Sequence, residues 1–410
     1  MNVNELPGPA VVRPLQPRRF ARHTAAAPTS ASPEPPRNRV LVGDAREQLA
    51  RLPSGSIDCC VTSPPYYQLR DYGVTGQLGS EAHVDDWVAG LRAVMAEVAR
   101  VLKPTGALWV NLGDAYSTAR RYGAPPKGLL LAPERLLLAL AADGWLVRNK
   151  VVWAKPNPMP HSVADRLNTA HELVYLLVRS RRYVFDLDAI REPHRTPPTT
   201  GRRRRPTGKY DGAARSWGRP LVPSRNHLAE GHTQGPAQHL LGKNPGDVWT
   251  VATGGYRGAH FATFPEALVE RPIRATCPER LCTGCGTPWR RTATRYVIGS
   301  KQPFRGERPL LRYPAVWQVV RKIGPLQPAC ACGAAWRPGV VLDPFFGAGT
   351  VGVVAERLGR DWLGIELNPA YAQLADSRLR AARQAVRRQA LSTPTTRQGY
   401  ARQKGCDAPR

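Results

Sequence analysis

Residues 62–73 read TSPPYYQLRDYG and follow the apolar run Ile57-Asp58-Cys59-Cys60-Val61. Two consecutive prolines cannot continue a central strand, because each lacks a backbone donor and has a fixed φ. The run therefore ends on Ser63-Pro64-Pro65-Tyr66, which sets a hydroxyl, a stiffened backbone carbonyl and an aromatic ring at one tip. A second chemical stretch, Asp343-Pro344-Phe345-Phe346-Gly347-Ala348-Gly349-Thr350, joins the strand-like VVLDP to the helix-like VGVVAERLG. Gly347 and Gly349 let the backbone approach a ligand closely, and the helix start supplies oriented N–H donors. Glu366 ends the next strand-like run, WLGIEL, where a carboxylate can accept both hydroxyls of a ribose. That constellation fits a nucleotide-like cofactor. The strict G-x-G-x-x-G of dinucleotide dehydrogenases is absent, which argues against a hydride carrier. Third, Cys282-x-x-Cys285 and Cys330-x-Cys332 form two pairs, each followed by Gly (Gly286, Gly333), the tight-turn pattern of a tetrahedral thiolate zinc site. The one-residue gap in the second pair departs from the usual spacing of two.

These residues need elements to hold them. RVLVGDA (39–45) reads as a short buried strand ending on Asp44, followed by the helix REQLARL and then the strand entering Ser63. Residues 84–102 repeat Trp87, Leu91, Val94, Val98 and Leu102 on one helical face. GALWVNLGD (106–114) is another strand with Asn111 and Asp114 at its polar end. APERLLLALAADGW is a helix with Pro133 in its first turn and Gly144 past its end. LVRNKVVWAKPNP and HELVYLLVRS are β-like runs around the Pro-rich loop KPNPMPHSVADR, which lines the same edge. Strands alternating with helices indicate an α/β layered domain with a largely parallel sheet. His161 and His171 have no catalytic partner in the sequence and read as structural.

The chain has 410 residues, enough for one large catalytic domain with insertions and tails. Residues 1–37 read as a disordered tail, 191–246 as a basic Arg/Gly/Pro-rich insertion, 277–337 as a Cys-rich insertion and 383–410 as a basic tail. No run approaches a membrane span, and no apolar signal core is present. The 59 Lys and Arg against 31 Asp and Glu leave a net charge of +28, a balance that favours a polyanion such as nucleic acid. Of the eight Cys, five cluster at Cys277, Cys282, Cys285, Cys330 and Cys332, which suggests a metal site in a reducing compartment rather than disulfides. Cys59 and Cys60 read as core.

DPFFGAGT followed by GIELNPAY resembles the S-adenosylmethionine-binding motif of amino-group DNA methyltransferases, and TSPPYY resembles their catalytic motif. GAHFATFPEALVERPI resembles a third cofactor-contacting segment of that family. The catalytic motif precedes the cofactor motif, which resembles the permuted β class. The likeness covers about 39–275 and 338–380. The Cys-rich insertion and the Arg-rich stretch depart from most relatives.

The resemblance implies a circularly permuted, Rossmann-like methyltransferase fold with a seven-stranded, mostly parallel sheet. RVLVGDA would supply the strand that the C-terminal half lacks. It implies S-adenosylmethionine held by Asp44, Phe261, Asp343, Pro344, Phe345, Gly347, Gly349, Thr350, Glu366 and Asn368. It implies Ser63, Pro64, Pro65 and Tyr66 as the catalytic set: Ser63 and the Pro64 carbonyl accept the two hydrogens of an exocyclic amine, and Tyr66 stacks on an extruded base. Tyr67 reads as core behind it. No Cys nucleophile is needed for this chemistry. Ser at the first position resembles cytosine-N4 enzymes, with adenine-N6 or RNA methylation, or an inactive DNA-binding protein, as the alternatives. Cys282, Cys285, Cys330 and Cys332 are the expected structural zinc ligands; Cys277 falls where relatives without the insertion carry a Cys and is left out. Double-stranded DNA is the expected partner, a restriction endonuclease a possible cognate one, and the cytoplasm, at the nucleoid, the expected location.

Overall fold

The computed structural model describes residues 34–193, 242–254, 263–300 and 316–392. Contacts divide the chain into a larger unit (1–184, 247–288, 330–410) and a smaller one (185–246, 289–329). Phe261, most of the basic 191–246 insertion, the bulk of the N-terminal tail and residues 393–410 lie outside the described residues.

In the larger unit the chain runs β1 (Arg39–Val42), α1 (Ala45–Ala50), β2 (Ile57–Thr62), α2 (Val84–Val101) and β3 (Leu102–Leu112). It continues through α3 (Ala132–Ala142), β4 (Leu146–Ala154), β5 (His171–Val178), β6 (Val248–Thr250), α4 (Glu266–Thr276) and β7 (Leu281–Cys282). β8 (Arg290–Ser300) and β9 (Val316–Gln327) belong to the smaller unit, where they pair antiparallel from Arg290 opposite Gln327 to Ser300 opposite Val316. β10 (Trp336–Arg337), β11 (Val340–Asp343), α5 (Thr350–Arg357), β12 (Asp361–Glu366) and α6 (Pro369–Ser392) complete the larger unit.

Eight strands form its sheet in the order β1-β12-β11-β2-β3-β5-β4-β6. All are parallel except β5, which runs against both β3 and β4. The expected count was seven; the short edge strand Val248–Thr250, paired to β4, is the addition. β1 lies beside β12 with Val42 opposite Glu366, so the N-terminal strand does complete the sheet that the C-terminal half leaves open.

The period-two pattern of buried strands explains the two cores. Cys60, Leu108, Val110, Leu342 and Ile365 face a cluster with Leu49 of α1, Trp87, Leu91 and Val98 of α2, and Leu136 and Leu140 of α3. Cys59, Val61, Trp109 and Val341 face the opposite cluster with Leu268 and Ile273 of α4, Val351 and Val354 of α5, and Leu379 of α6. Helices therefore cover both faces, and the carboxyl ends of the parallel strands are left as the edge where loops converge, as doubly wound sheets require. Both strand cysteines are fully buried, as is Tyr67, which lies against Trp87 with ring centroids 6.3 Å apart. α6 runs through residue 392, so the start of the expected C-terminal tail is helix.

Candidate active site

The loop after β2 and the loop after β11 meet over one cavity of about 310 Å³. Asp44, Ser63, Pro65, Pro344, Phe345, Gly347, Thr350, Glu366 and Asn368 all line it, together with Tyr72, Phe264 and Tyr371. Two motifs nearly 300 positions apart in sequence thus share one wall, because β2 and β11 are hydrogen-bonded neighbours with Cys60 opposite Leu342.

On the cofactor-like side, Gly349 adopts φ +76° at the start of α5, and a Cβ there would meet Ala375 Cβ at 3.0 Å and Phe346 Cε1 at 3.1 Å. Both the left-handed φ and the tight approach call for glycine. The Phe346 ring is buried, stacked on Trp362 at 5.1 Å, and crosses Gly364 of β12 so closely that a Cβ there would fall 2.4 Å from it. Phe346 thus anchors the loop, and both Phe345 and Phe346 contribute to the cavity wall. Glu366 Oε2 accepts from the Gly347 N–H at 2.7 Å and Oε1 from the Asn368 N–H at 2.8 Å. Burial raises its carboxyl above the ordinary value, against those two N–H groups. Asp343 is fully buried; its Oδ1 accepts from Thr62 Oγ1 at 2.7 Å and from the Phe345 N–H at 3.1 Å. Desolvation pushes it up to about 7, and its Oδ2 has no partner among the described residues. Asp44 caps α1 by accepting from the Glu47 N–H at 3.0 Å, and the Gly43 N–H reaches the Glu366 carbonyl at 2.9 Å.

The catalytic-motif side is held by a network that sequence reasoning missed. The Tyr66 hydroxyl donates to Glu172 Oε2 at 2.7 Å and lies 3.2 Å from Ser63 Oγ. Asn111 Nδ2 donates to the same Glu172 oxygen at 3.0 Å, and Lys155 Nζ donates to Glu172 Oε1 at 2.5 Å. Burial, then the Glu172 charge, hold the Tyr66 phenol well above its ordinary pKa, so it remains a donor. Trp87 Nε1 fixes the Pro65 carbonyl at 2.9 Å, and the Tyr66 ring approaches Gly113 so closely that a Cβ there would lie 2.8 Å from Cε2. The Pro64 carbonyl accepts no hydrogen bond among the described residues. Glu172 is the second residue of β5, which runs antiparallel, so its first residues reach the edge where the parallel strands end. The signal in sequence was one acid at the head of the apolar HELVYLLV, next to the loop leaving Lys155. Asp114 reaches the same edge but serves the backbone, accepting from the N–H groups of Ala115, Leu131 and Ala132.

Away from the cavity, the ligand atoms of Cys282, Cys285, Cys330 and Cys332 all lie within 4.8 Å of one another. β7 pairs with β10, and the Gly286 N–H returns to the Cys282 carbonyl at 2.9 Å, so two tight turns face each other. Gly286 (φ +69°) and Gly333 (φ +62°) take the left-handed backbone these turns need. A tetrahedral Zn–S distance of about 2.3 Å puts thiolates about 3.8 Å apart, which this cluster accommodates with small side-chain shifts. Cys277 is buried in the core with Leu268 and Ile273 of α4 and is not part of the group.

The family described as DNA methylase, the N6/N4 group, matches residues 57–282 and 337–377. The chain is 32% identical over 362 residues to the type II methyltransferase M.SmaI of Serratia marcescens, covering 83% of this chain and 90% of that protein. It is 34% identical over 358 residues to the type II methyltransferase M.Cfr9I of Citrobacter freundii, covering 82% and 86%. Among solved structures, the PvuII DNA methyltransferase (cytosine-N4-specific) aligns at 18% identity with a TM-score of 0.48, covering 87% of this chain and 93% of that one. The family match and the extent of identity to these relatives establish that the chain belongs to the DNA methylase family of amino-group (N6/N4) DNA methyltransferases.

Proposed function

We propose that this protein transfers a methyl group from S-adenosylmethionine to the exocyclic N4 of a cytosine turned out of duplex DNA. The observation that carries the reading is the single cavity shared by Ser63 and Pro65 from one half of the chain and Gly347, Glu366 and Asn368 from the other. The donor supplies an electrophilic methyl on a sulfonium; the remaining work belongs to the protein. Glu366, already holding the Gly347 and Asn368 N–H groups, presents its carboxylate to ribose hydroxyls, and Asp44 stands beside it at the adenine end. The unpartnered, buried Oδ2 of Asp343 fits a cationic ammonium group of the donor.

The nitrogen lone pair of an exocyclic amine is delocalised into the ring, so it must be freed before it can attack. Ser63 Oγ accepts one amino hydrogen and the Pro64 carbonyl the other, favouring a tetrahedral nitrogen aimed at the methyl. Tyr66, its hydroxyl tied at both sides, holds the face of the base. A neutral Ser63 in place of an acid supports cytosine over adenine. The four clustered thiols hold a structural zinc ion, and the basic 191–246 segment together with the +28 net charge serves the DNA phosphates. The likeness to type II methyltransferases supports a site-specific enzyme that modifies DNA.

The test is transfer of a labelled methyl group to duplex DNA by the wild type and by Ser63→Ala. Loss of one transition-state acceptor predicts a fall of roughly 10²–10³-fold in turnover with cofactor affinity within about twofold. Abolished cofactor binding in Ser63→Ala would contradict the division of labour.

A further inference from the structure

Methylation leaves a positively charged nitrogen that must shed a proton. Neither a serine hydroxyl nor a phenol can keep it, since both would become strongly acidic oxonium groups. Where the first motif residue is a carboxylate, the receiver is at hand; here it is Ser63, and the proton needs another destination. Resting on the reading above, we propose that Glu172, acting through Tyr66, sets the direction of the Ser63–Tyr66 hydrogen bonds and receives the proton displaced from the methylated amine.

The direction follows from donor and acceptor counting. Glu172 receives three donors: Tyr66 and Asn111 at Oε2, and Lys155 at Oε1. With the Tyr66 O–H committed to Glu172, the 3.2 Å contact between Ser63 Oγ and the Tyr66 oxygen must be donated by Ser63. Ser63 Oγ then presents only lone pairs to the cavity that it lines, which is the polarity an amine N–H requires. Reversing the Tyr66 hydrogen bond would turn the Ser63 hydrogen toward the amine and oppose binding. Asn111 and Lys155 fix the carboxylate from its other sides, so its orientation does not depend on the base.

The step balances. The N–C bond forms as the donor's S–C bond breaks, leaving a thioether and a cationic nitrogen. One N–H proton passes to Ser63 Oγ as the Ser63 proton passes to the Tyr66 oxygen and the Tyr66 proton passes to Glu172 Oε2. Serine and tyrosine end neutral, the amine ends neutral, and Glu172 carries one proton to be lost to solvent. Glu172 is in this sense a positioning residue, since Ser63 and the Pro64 carbonyl meet the amine and Glu172 acts through Tyr66.

The experiment compares full-length wild type, Glu172→Gln, Glu172→Asp and Tyr66→Phe in single-turnover methylation of duplex DNA, with cofactor affinity measured in parallel. Gln keeps the shape but holds no proton, and Phe keeps the ring but breaks the chain. We expect both to lose roughly 10²-fold or more in rate with cofactor affinity within about twofold. The Glu172→Gln/Tyr66→Phe double variant should be little worse than either alone, because the residues act as a unit. Glu172→Asp should recover part of the rate that Glu172→Gln loses, because it returns a carboxylate to the end of the Ser63–Tyr66 chain. Tyr66→Phe or Glu172→Gln within threefold of wild type, or Glu172→Asp no faster than Glu172→Gln, overturns the relay while leaving the methyltransferase reading intact. Absence of transfer by the wild type to varied natural DNAs would instead sink the reading on which the relay rests.

Discussion

At the residue scale, the site is built around carboxylates placed in different surroundings. Asp343 is buried with one oxygen unpartnered, whereas Glu172 has donors at both of its oxygens. For Asp343 this has a measurable consequence. Its folded-state value of about 7 lies above the ordinary 3.8, so between those values the folded protein holds a proton the unfolded chain has released. Stability therefore declines as pH rises from about 4 to about 7 and stays reduced above that. Asp343→Asn keeps an oxygen for Thr62 and the Phe345 N–H while removing the charge. It should stabilise the cofactor-free protein at pH 8 by roughly 1–4 kcal/mol, with little effect at pH 4, and weaken cofactor binding at least tenfold. Thermal unfolding at the two pH values and calorimetric titration of the donor check both halves. A variant that is less stable at pH 8 would mean that the carboxylate is compensated without a ligand.

At the element scale, the strand-end loops are positioned by packing beneath them. Phe346 lies across Gly364 and on Trp362, so the loop's anchor is a ring in the core rather than a bond to ligand. Gly364→Ala should push that ring out and cost roughly 1–3 kcal/mol, with a parallel loss of cofactor affinity, read by denaturant unfolding and titration. The thiol cluster makes a separate prediction. Purified protein should carry one zinc per chain, and Cys282→Ser or Cys330→Ser should abolish it and lower thermal stability. Metal content near zero in wild type purified without chelator would exclude the structural zinc. Much of this scale was legible in the sequence: the Pro-Pro stop, the Gly-rich turn, the helix from Val84 and the paired cysteines are local signals. Glu172 was not legible, because its partners Tyr66, Asn111 and Lys155 come from three other segments and converge only when β5 inserts antiparallel between β3 and β4. The edge strand β6 escaped for a related reason: its three residues carry no periodicity of their own.

At the scale of the whole molecule, permutation is what makes the site possible. β1 from the N-terminus closes the sheet beside β12 near the C-terminus, and Asp44 and Glu366 become neighbours across that seam. The order of motifs along the chain suggested this placement, since a sheet lacking one strand at its cofactor edge must recruit it from elsewhere. What the order of motifs does not carry is any reading of the basic insertion, most of which lies outside the described residues. The charge balance still makes a prediction. DNA affinity should fall by orders of magnitude between about 50 and 200 mM salt, as phosphate contacts release counterions, while donor affinity stays nearly level. Equal salt dependence of the two ligands would contradict a phosphate-led interface. The most direct test of the central claim is nucleoside mass spectrometry of duplex DNA incubated with the protein and S-adenosylmethionine. The account predicts N4-methylcytosine, lost in Ser63→Ala; N6-methyladenine in its place, or no methylated base at all, would contradict it.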